Sequence, residues 1–163
     1  AAALLLVASV YAWRRVDTLS AELLQAQENK RTLEQQLEGE RRWTALLEQP
    51  TARVVNLSPT PDGDSTLAAH LLYDPASGRA VVMAEQFVAP QGNDYELWAI
   101  TASGPTSLGV LRGDAGGRLV AKLDHVNLSE TITAFALSRE ATGGSPDHHK
   151  PSGPVVMVGK LAI

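Results

Sequence analysis

The sequence changes character at Pro50, and that change requires two different kinds of structure on its two sides. From Val16 to Gln49 there is no proline, and Gly39 is the only glycine. Apolar residues recur there at alternating steps of three and four. One seam runs Val16, Leu23, Lys30, Leu37, Thr44, and its partner runs Leu19, Ala26, Leu33, Glu40, Leu47. Most of these positions are apolar, which is a heptad pattern kept for about five repeats. A helix of this length, roughly 50 Å, has no core of its own. It is expected to lay the seam against a second helix, and the charge of Lys30 on the seam favours a two-stranded coil. The flanking pairs Glu22–Gln27, Asn29–Glu34 and Gln36–Arg41 specify a partner weakly. The alternative is an amphipathic helix folded back on its own domain. Pro50 biases Gln49 away from helical angles and ends the stem.

Ahead of the stem, residues 1–13 read AAALLLVASVYAW and carry no charge. Tyr11 and Trp13 close the run, and Arg14 and Arg15 follow at once. Aromatics followed by cations are how a spanning helix meets the headgroup layer. Thirteen helical residues reach about 20 Å, against a hydrocarbon core of about 30 Å. The expectation is therefore the outer part of a longer transmembrane helix, residues 1–15, leading into a coiled-coil stem, residues 16–49. A secretory signal peptide cleaved near Tyr11-Ala12 is the competing reading. A buried helix of a soluble domain fits poorly with the polar stem that follows.

Beyond Pro50 the texture is that of an all-β domain, residues 50–163. Runs rich in valine, leucine and threonine alternate with Gly, Pro and Asp. Strands are predicted at Ala52–Leu57, Thr66–Tyr73, Arg79–Phe87, Tyr95–Thr101, Thr106–Leu111, Arg118–Leu123, Ile132–Arg139 and Val155–Leu161. Turns fall at Pro61-Asp62-Gly63, Asp74–Gly78, Pro90–Asn93 and Gly113–Gly117. The spacing predicts an antiparallel β-sandwich or barrel, with the sandwich preferred. No amphipathic helix separates the strands, which excludes parallel βαβ units. Alternation puts Tyr95, Leu97 and Ala99 on one face, and Phe135 and Leu137 on another. Trp98 and Phe135 are expected to anchor a core of valine and leucine. Asp94 and Glu96, two apart, are expected to lie on a solvated face.

Catalytic chemistry finds little purchase. The chain has no cysteine, so disulfides and thiolate metal sites are excluded. Its formal charge is -4, with no basic segment, which argues against nucleic acid as a partner. His70 lies inside a strand and His125 in a turn. Asp147-His148-His149-Lys150 is the most metal-like cluster, but it sits in a Gly/Ser/Pro-rich loop and lacks the spacing of converging ligands. Ser103 and Ser145 have glycines nearby without forming a nucleophile elbow. No phosphate-binding loop is present. Neither an enzyme nor a cofactor is expected.

Three segments, taken in order, say more. The first is Tyr95-Glu96-Leu97-Trp98-Ala99-Ile100. The second is Gly104–Leu111, with Gly109 inside it. The third runs from Phe135 through Glu140-Ala141-Thr142-Gly143-Gly144-Ser145-Pro146 and closes with Gly153–Gly159. Together they resemble the C-terminal domain of the anti-sigma-K factor (RskA) family, over about Ala52 to Ile163. The resemblance implies a cytoplasmic N-terminal domain that holds a sigma factor, one membrane-spanning helix and an extracytoplasmic C-terminal domain. It further implies a cell-membrane protein whose partners are that sigma factor and the site-specific and intramembrane proteases that release it. The motif residues Tyr95, Leu97, Trp98, Gly109, Gly143, Gly144, Ser145 and Pro146 are then structural. Trp98 serves as core, Gly109 as a close packing point and Gly143-Gly144 as a tight turn. The heptad stem adds a homodimer through Val16, Leu19, Leu23, Ala26, Lys30, Leu33, Leu37 and Leu47. The rival from another class is a secreted or periplasmic sandwich that binds a ligand such as a glycan. Exposed aromatics lining a groove would favour it, but aromatics are only 5% of the chain.

Overall fold

The computed structural model describes residues 23–41, 43–63, 65–126 and 128–161. The spanning segment expected at 1–15 and the seam residues Val16 and Leu19 lie outside the described residues, as does the side chain of Leu47. Among the described residues no helix is long and apolar enough to cross a membrane. The chain divides into two compact units, Ala1–Ala45 and Leu46–Ile163.

In the first unit, residues 23–41 and 43–44 are helical. Leucine, glutamate, glutamine and alanine dominate this stretch, and all are strong helix formers. Lys30 pairs with Glu34 one turn on, at 3.7 Å, with both side chains exposed. Such a pair contributes about 0.3–0.5 kcal/mol. Leu23, Leu33 and Leu37 of the seam are 64%, 65% and 52% exposed, so packing within this unit does not bury them.

A 3-10 turn, Ala45–Glu48, runs across the boundary, and the second unit continues as eight strands. These are β1 (Arg53–Pro59), β2 (Ala68–Asp74), β3 (Arg79–Glu85), β4 (Asn93–Thr101), β5 (Gly104–Leu111), β6 (Leu119–Leu123), β7 (Ala134–Ala141) and β8 (Val155–Lys160). Every pairing is antiparallel. The strand order is β5-β4-β7-β8-β1-β2-β3-β6. The expected sandwich of two separate sheets is therefore replaced by one sheet curled into a nearly closed barrel. The joint is β1. Its first part, Arg53–Leu57, pairs with β2, while Ser58 and Pro59 pair with β8. Gly159 of β8 sits at this joint. A Cβ there would stand 2.6 Å from the Asn56 carbonyl oxygen and 2.7 Å from a Val55 methyl, so only glycine lets the strands approach this closely.

The inward faces of all eight strands feed one core. Val55, Leu57, Leu71, Tyr73, Val82, Leu97, Phe135, Leu137 and Met157 are buried within it. Tyr73 meets Phe135 edge-on at 5.4 Å between ring centroids, and Phe87 lies against Tyr95 at 4.7 Å. Such pairs add about 0.5–1.5 kcal/mol to the burial of the rings. Asp74 builds the β2–β3 hairpin. It accepts from the backbone N–H groups of Ala76 and Ser77 at 3.1 Å and from the Ser77 and Thr51 hydroxyls at 2.5 Å. Gly78, at φ 64°, closes that turn.

Candidate functional site

Strands β4 and β7 are buried on both faces, which simple alternation does not predict for a sheet with one solvated side. Their register explains the outer face. Asp94 lies directly opposite Glu140, Glu96 opposite Ser138, and Trp98 opposite Ala136. All of these residues are buried, with Glu96 2% and Glu140 1% exposed. The reading of Asp94 and Glu96 as solvated is thus corrected. Two like charges directly opposite each other destabilise a sheet unless they find partners. Here the partners come from the segment joining β7 to β8, residues 142–154.

That segment folds over the sheet and aims its backbone N–H groups at the carboxylates. Gly143 donates to Asp94 at 2.9 Å and Ser145 to Glu96 at 2.6 Å. Ser152 donates to both oxygens of Glu140 at 3.1 Å, and Gly153 donates at 2.9 Å. Side chains complete the shell. The Ser107 hydroxyl of β5 donates to Glu96. The Trp98 indole N–H donates to the Ser138 hydroxyl at 2.8 Å, and that hydroxyl donates to Glu140 at 2.6 Å. The Arg112 guanidinium clasps Asp94 with two hydrogen bonds, at 3.0 and 2.5 Å. Among the described residues no buried side-chain polar atom lacks a partner. The Arg112 hydrogen bonds, then the Gly143 N–H, hold the Asp94 carboxyl below its ordinary range against the opposing effect of burial. At Asp74 burial pushes the carboxyl up, but the Ser77 and Thr51 hydroxyls and two backbone N–H groups outweigh it and leave it lowered.

The glycines of the segment divide by role. Gly143 and Gly144 both have positive φ, 101° and 94°, and the Gly144 N–H donates to the Ala141 carbonyl at 2.9 Å, closing a tight turn. Around Gly143 a Cβ would meet nothing within 4 Å, whereas at Gly144 it would stand 2.7 Å from a Val110 methyl and 2.9 Å from a Glu96 oxygen. Gly153 is tighter still, pressed on the Arg139 carbonyl oxygen. Close packing therefore belongs to Gly144 and Gly153. Gly109, expected to pack closely, has nothing within 4 Å of a Cβ. Instead it sits at φ 111° beside a break in the β4–β5 register, where Leu97 faces Gly109 and Trp98 faces Ser107. Its role is to carry a β-bulge.

The other residues singled out from the sequence fall as follows. Tyr95 and Leu97 face the main core. Trp98 is fully buried but on the opposite face, outside the valine-leucine cluster, under the 142–154 segment's network. Ser145 is buried. Its hydroxyl donates to the Lys150 carbonyl at 2.7 Å and meets the Ser152 hydroxyl at 2.8 Å. Pro146 is exposed. In the Asp147–Lys150 stretch the Asp147 carboxylate accepts from the His149 N–H at 2.8 Å, forming a local turn with both histidines exposed. Among the described residues no group of acidic or histidine side chains is arranged to hold a metal. His70 pairs across strands with Asn56 at 2.8 Å. An open groove of about 550 Å³ runs beside Glu140, lined by Pro90, Asn93, Arg139, Ser152, Gly153 and Pro154 among others. The carboxylate at its wall is already fully engaged by donors of the chain itself. Sequence reasoning missed the buried carboxylates, although a signal existed. A tryptophan placed on the same strand face as Asp94 and Glu96 is poorly suited to open solvent.

The geometry is that of a satisfied structural cap built from the Tyr-x-Leu-Trp strand, the Gly109 strand and the Glu-x-x-Gly-Gly-Ser segment. No curated protein matches the chain. The family described as "Anti-sigma-K factor rskA, C-terminal" matches residues 1–155, nearly the whole chain. The motif segments that build the cap fall within that match, and the chain belongs to the anti-sigma-K factor RskA C-terminal family.

Proposed function

We propose that this chain is the transmembrane and extracytoplasmic portion of an anti-sigma factor, and that it governs release of an extracytoplasmic-function sigma factor by regulated proteolysis. The family match over residues 1–155 carries this reading. The charge-free run closed by Tyr11 and Trp13 and followed by Arg14 and Arg15 supports a single-pass anchor. In this scheme the sigma factor is held by a separate N-terminal domain. The outer domain acts without catalysis, as a folded guard. The stem pairs two copies through Leu23, Ala26, Lys30, Leu33 and Leu37, where three exposed leucines support a helical partner. A protease takes its substrate in extended form, so a paired stem shields the membrane-proximal cut site. A glycan-binding role is disfavoured because Tyr73, Phe87, Tyr95, Trp98 and Phe135, all the aromatics beyond Pro50, are buried.

The test follows the full-length protein, tagged at its C-terminus, by immunoblot. It should fractionate with membranes, expose its tag to protease in spheroplasts, and yield a shortened membrane fragment under stress. Replacing Lys30 and Glu40 with leucine should strengthen crosslinking at position 23 and slow that cleavage severalfold. A soluble intact protein would overturn the assignment. Tighter pairing with unchanged cleavage would reduce the stem to a spacer.

A further inference from the structure

We propose that the 142–154 segment is an acid-opened latch, released from the outer face of β4 and β7 before the core of the domain melts. The observations concern how it is held. The segment is tied to the sheet through the His148 and Pro154 carbonyls and through backbone N–H groups donated to three carboxylates, Asp94, Glu96 and Glu140. A backbone N–H only donates. A carboxylate that takes up a proton loses charge-assisted bonds of roughly double strength, and its new O–H faces a donor. At Glu140 the Ser152 and Gly153 N–H groups converge on one oxygen, so that conflict is built in.

Little nearby charge offsets it. Arg112 is the cation beside Asp94. Arg139 of β7 pairs with Tyr95, on the alternate face from Ser138 and Glu140. β5 carries no titratable side chain from Gly104 to Leu111, and Lys160 of β8 lies at the far end, opposite Ala134. Asp147, His148, His149 and Lys150 on the latch itself are exposed. The core itself is apolar side chains and backbone ladders that do not titrate, and among the described residues the one buried carboxylate away from the latch, Asp74, lies at the β2–β3 turn. Opening has a defined consequence. The His148 carbonyl accepts the Ser107 N–H at 2.8 Å, so the latch covers part of the outer edge of β5. Release leaves that strand edge free to pair with another extended chain.

The experiment is hydrogen exchange of the full chain in detergent micelles at pH 7 and pH 3.5, with protection corrected for the intrinsic rate at each pH. Protection of residues 142–154 and of the Ser107 amide should fall at least tenfold at pH 3.5, while the middle of the β3–β6 ladder, around Val82 and Ala121, keeps its protection. The Glu96→Gln, Glu140→Gln variant should already show the lowered latch protection at pH 7 and lose most of the pH response. If the double variant does not fold, the single Glu96→Gln variant should show the same change at Ser145. Equal loss of protection in the latch and the β3–β6 ladder, or a latch that stays protected at pH 3.5, would overturn the proposal.

Discussion

Replacing Trp98 with alanine is expected to lower unfolding free energy by about 3–5 kcal/mol, measured by urea denaturation of the purified chain. The ring is fully buried, so the substitution removes the largest side chain of the outer face and leaves a cavity beneath the cap. It also withdraws the indole donor from Ser138, whose hydroxyl bridges to Glu140. Trp98→Phe keeps most of the volume and loses the N–H, so it should cost less, about 1–2 kcal/mol. A loss below about 1 kcal/mol for Trp98→Ala would mean that the ring contributes no packing and the cap is not seated as described.

Glu140→Ala is expected to cost about 2–4 kcal/mol by the same measurement. The carboxylate collects the Ser138 hydroxyl and the Ser152 and Gly153 N–H groups. Its removal strands donors in a site from which water is largely excluded, each worth about 1–3 kcal/mol if left unpaired. Ser152 is itself exposed, so water relieves part of that loss. Glu140→Gln preserves the shape and one acceptor and should fall between wild type and Glu140→Ala. A neutral Glu140→Ala would show that the segment is held by something other than the carboxylates.

The eight strands were legible because their turns carry their own chemistry. Asp74 at a hairpin and the Gly113–Gly117 cluster mark chain reversals by composition alone. Strand ends were less legible where long-range pairing decides them. Pro59 looks like a terminator, yet it closes β1 because only the last two residues of that strand pair with β8. The same split pairing of β1 converts a sandwich into one curled sheet, and nothing local in Arg53–Pro59 announces it. The outer cap was legible as a motif but not as a structure. Alternation correctly put Asp94 and Glu96 on the face opposite Tyr95 and Leu97. It gave no reason to expect a distant segment, some fifty residues on, to bury that face with its backbone. Gly109 was recognised as special, but composition does not distinguish a bulge from a close contact.

In the proposed scheme the capped barrel is what restrains sigma release, and sigma-dependent transcription in unstressed cells reads this directly. The comparison is between the full-length protein and a version in which residues 46–163 are deleted while the anchor and stem are kept. The account predicts transcription from a sigma-dependent reporter rising about tenfold or more without any stress, as the unguarded stem is cut. Transcription that stays at the unstressed level, with the shortened protein present intact in the membrane, would contradict it.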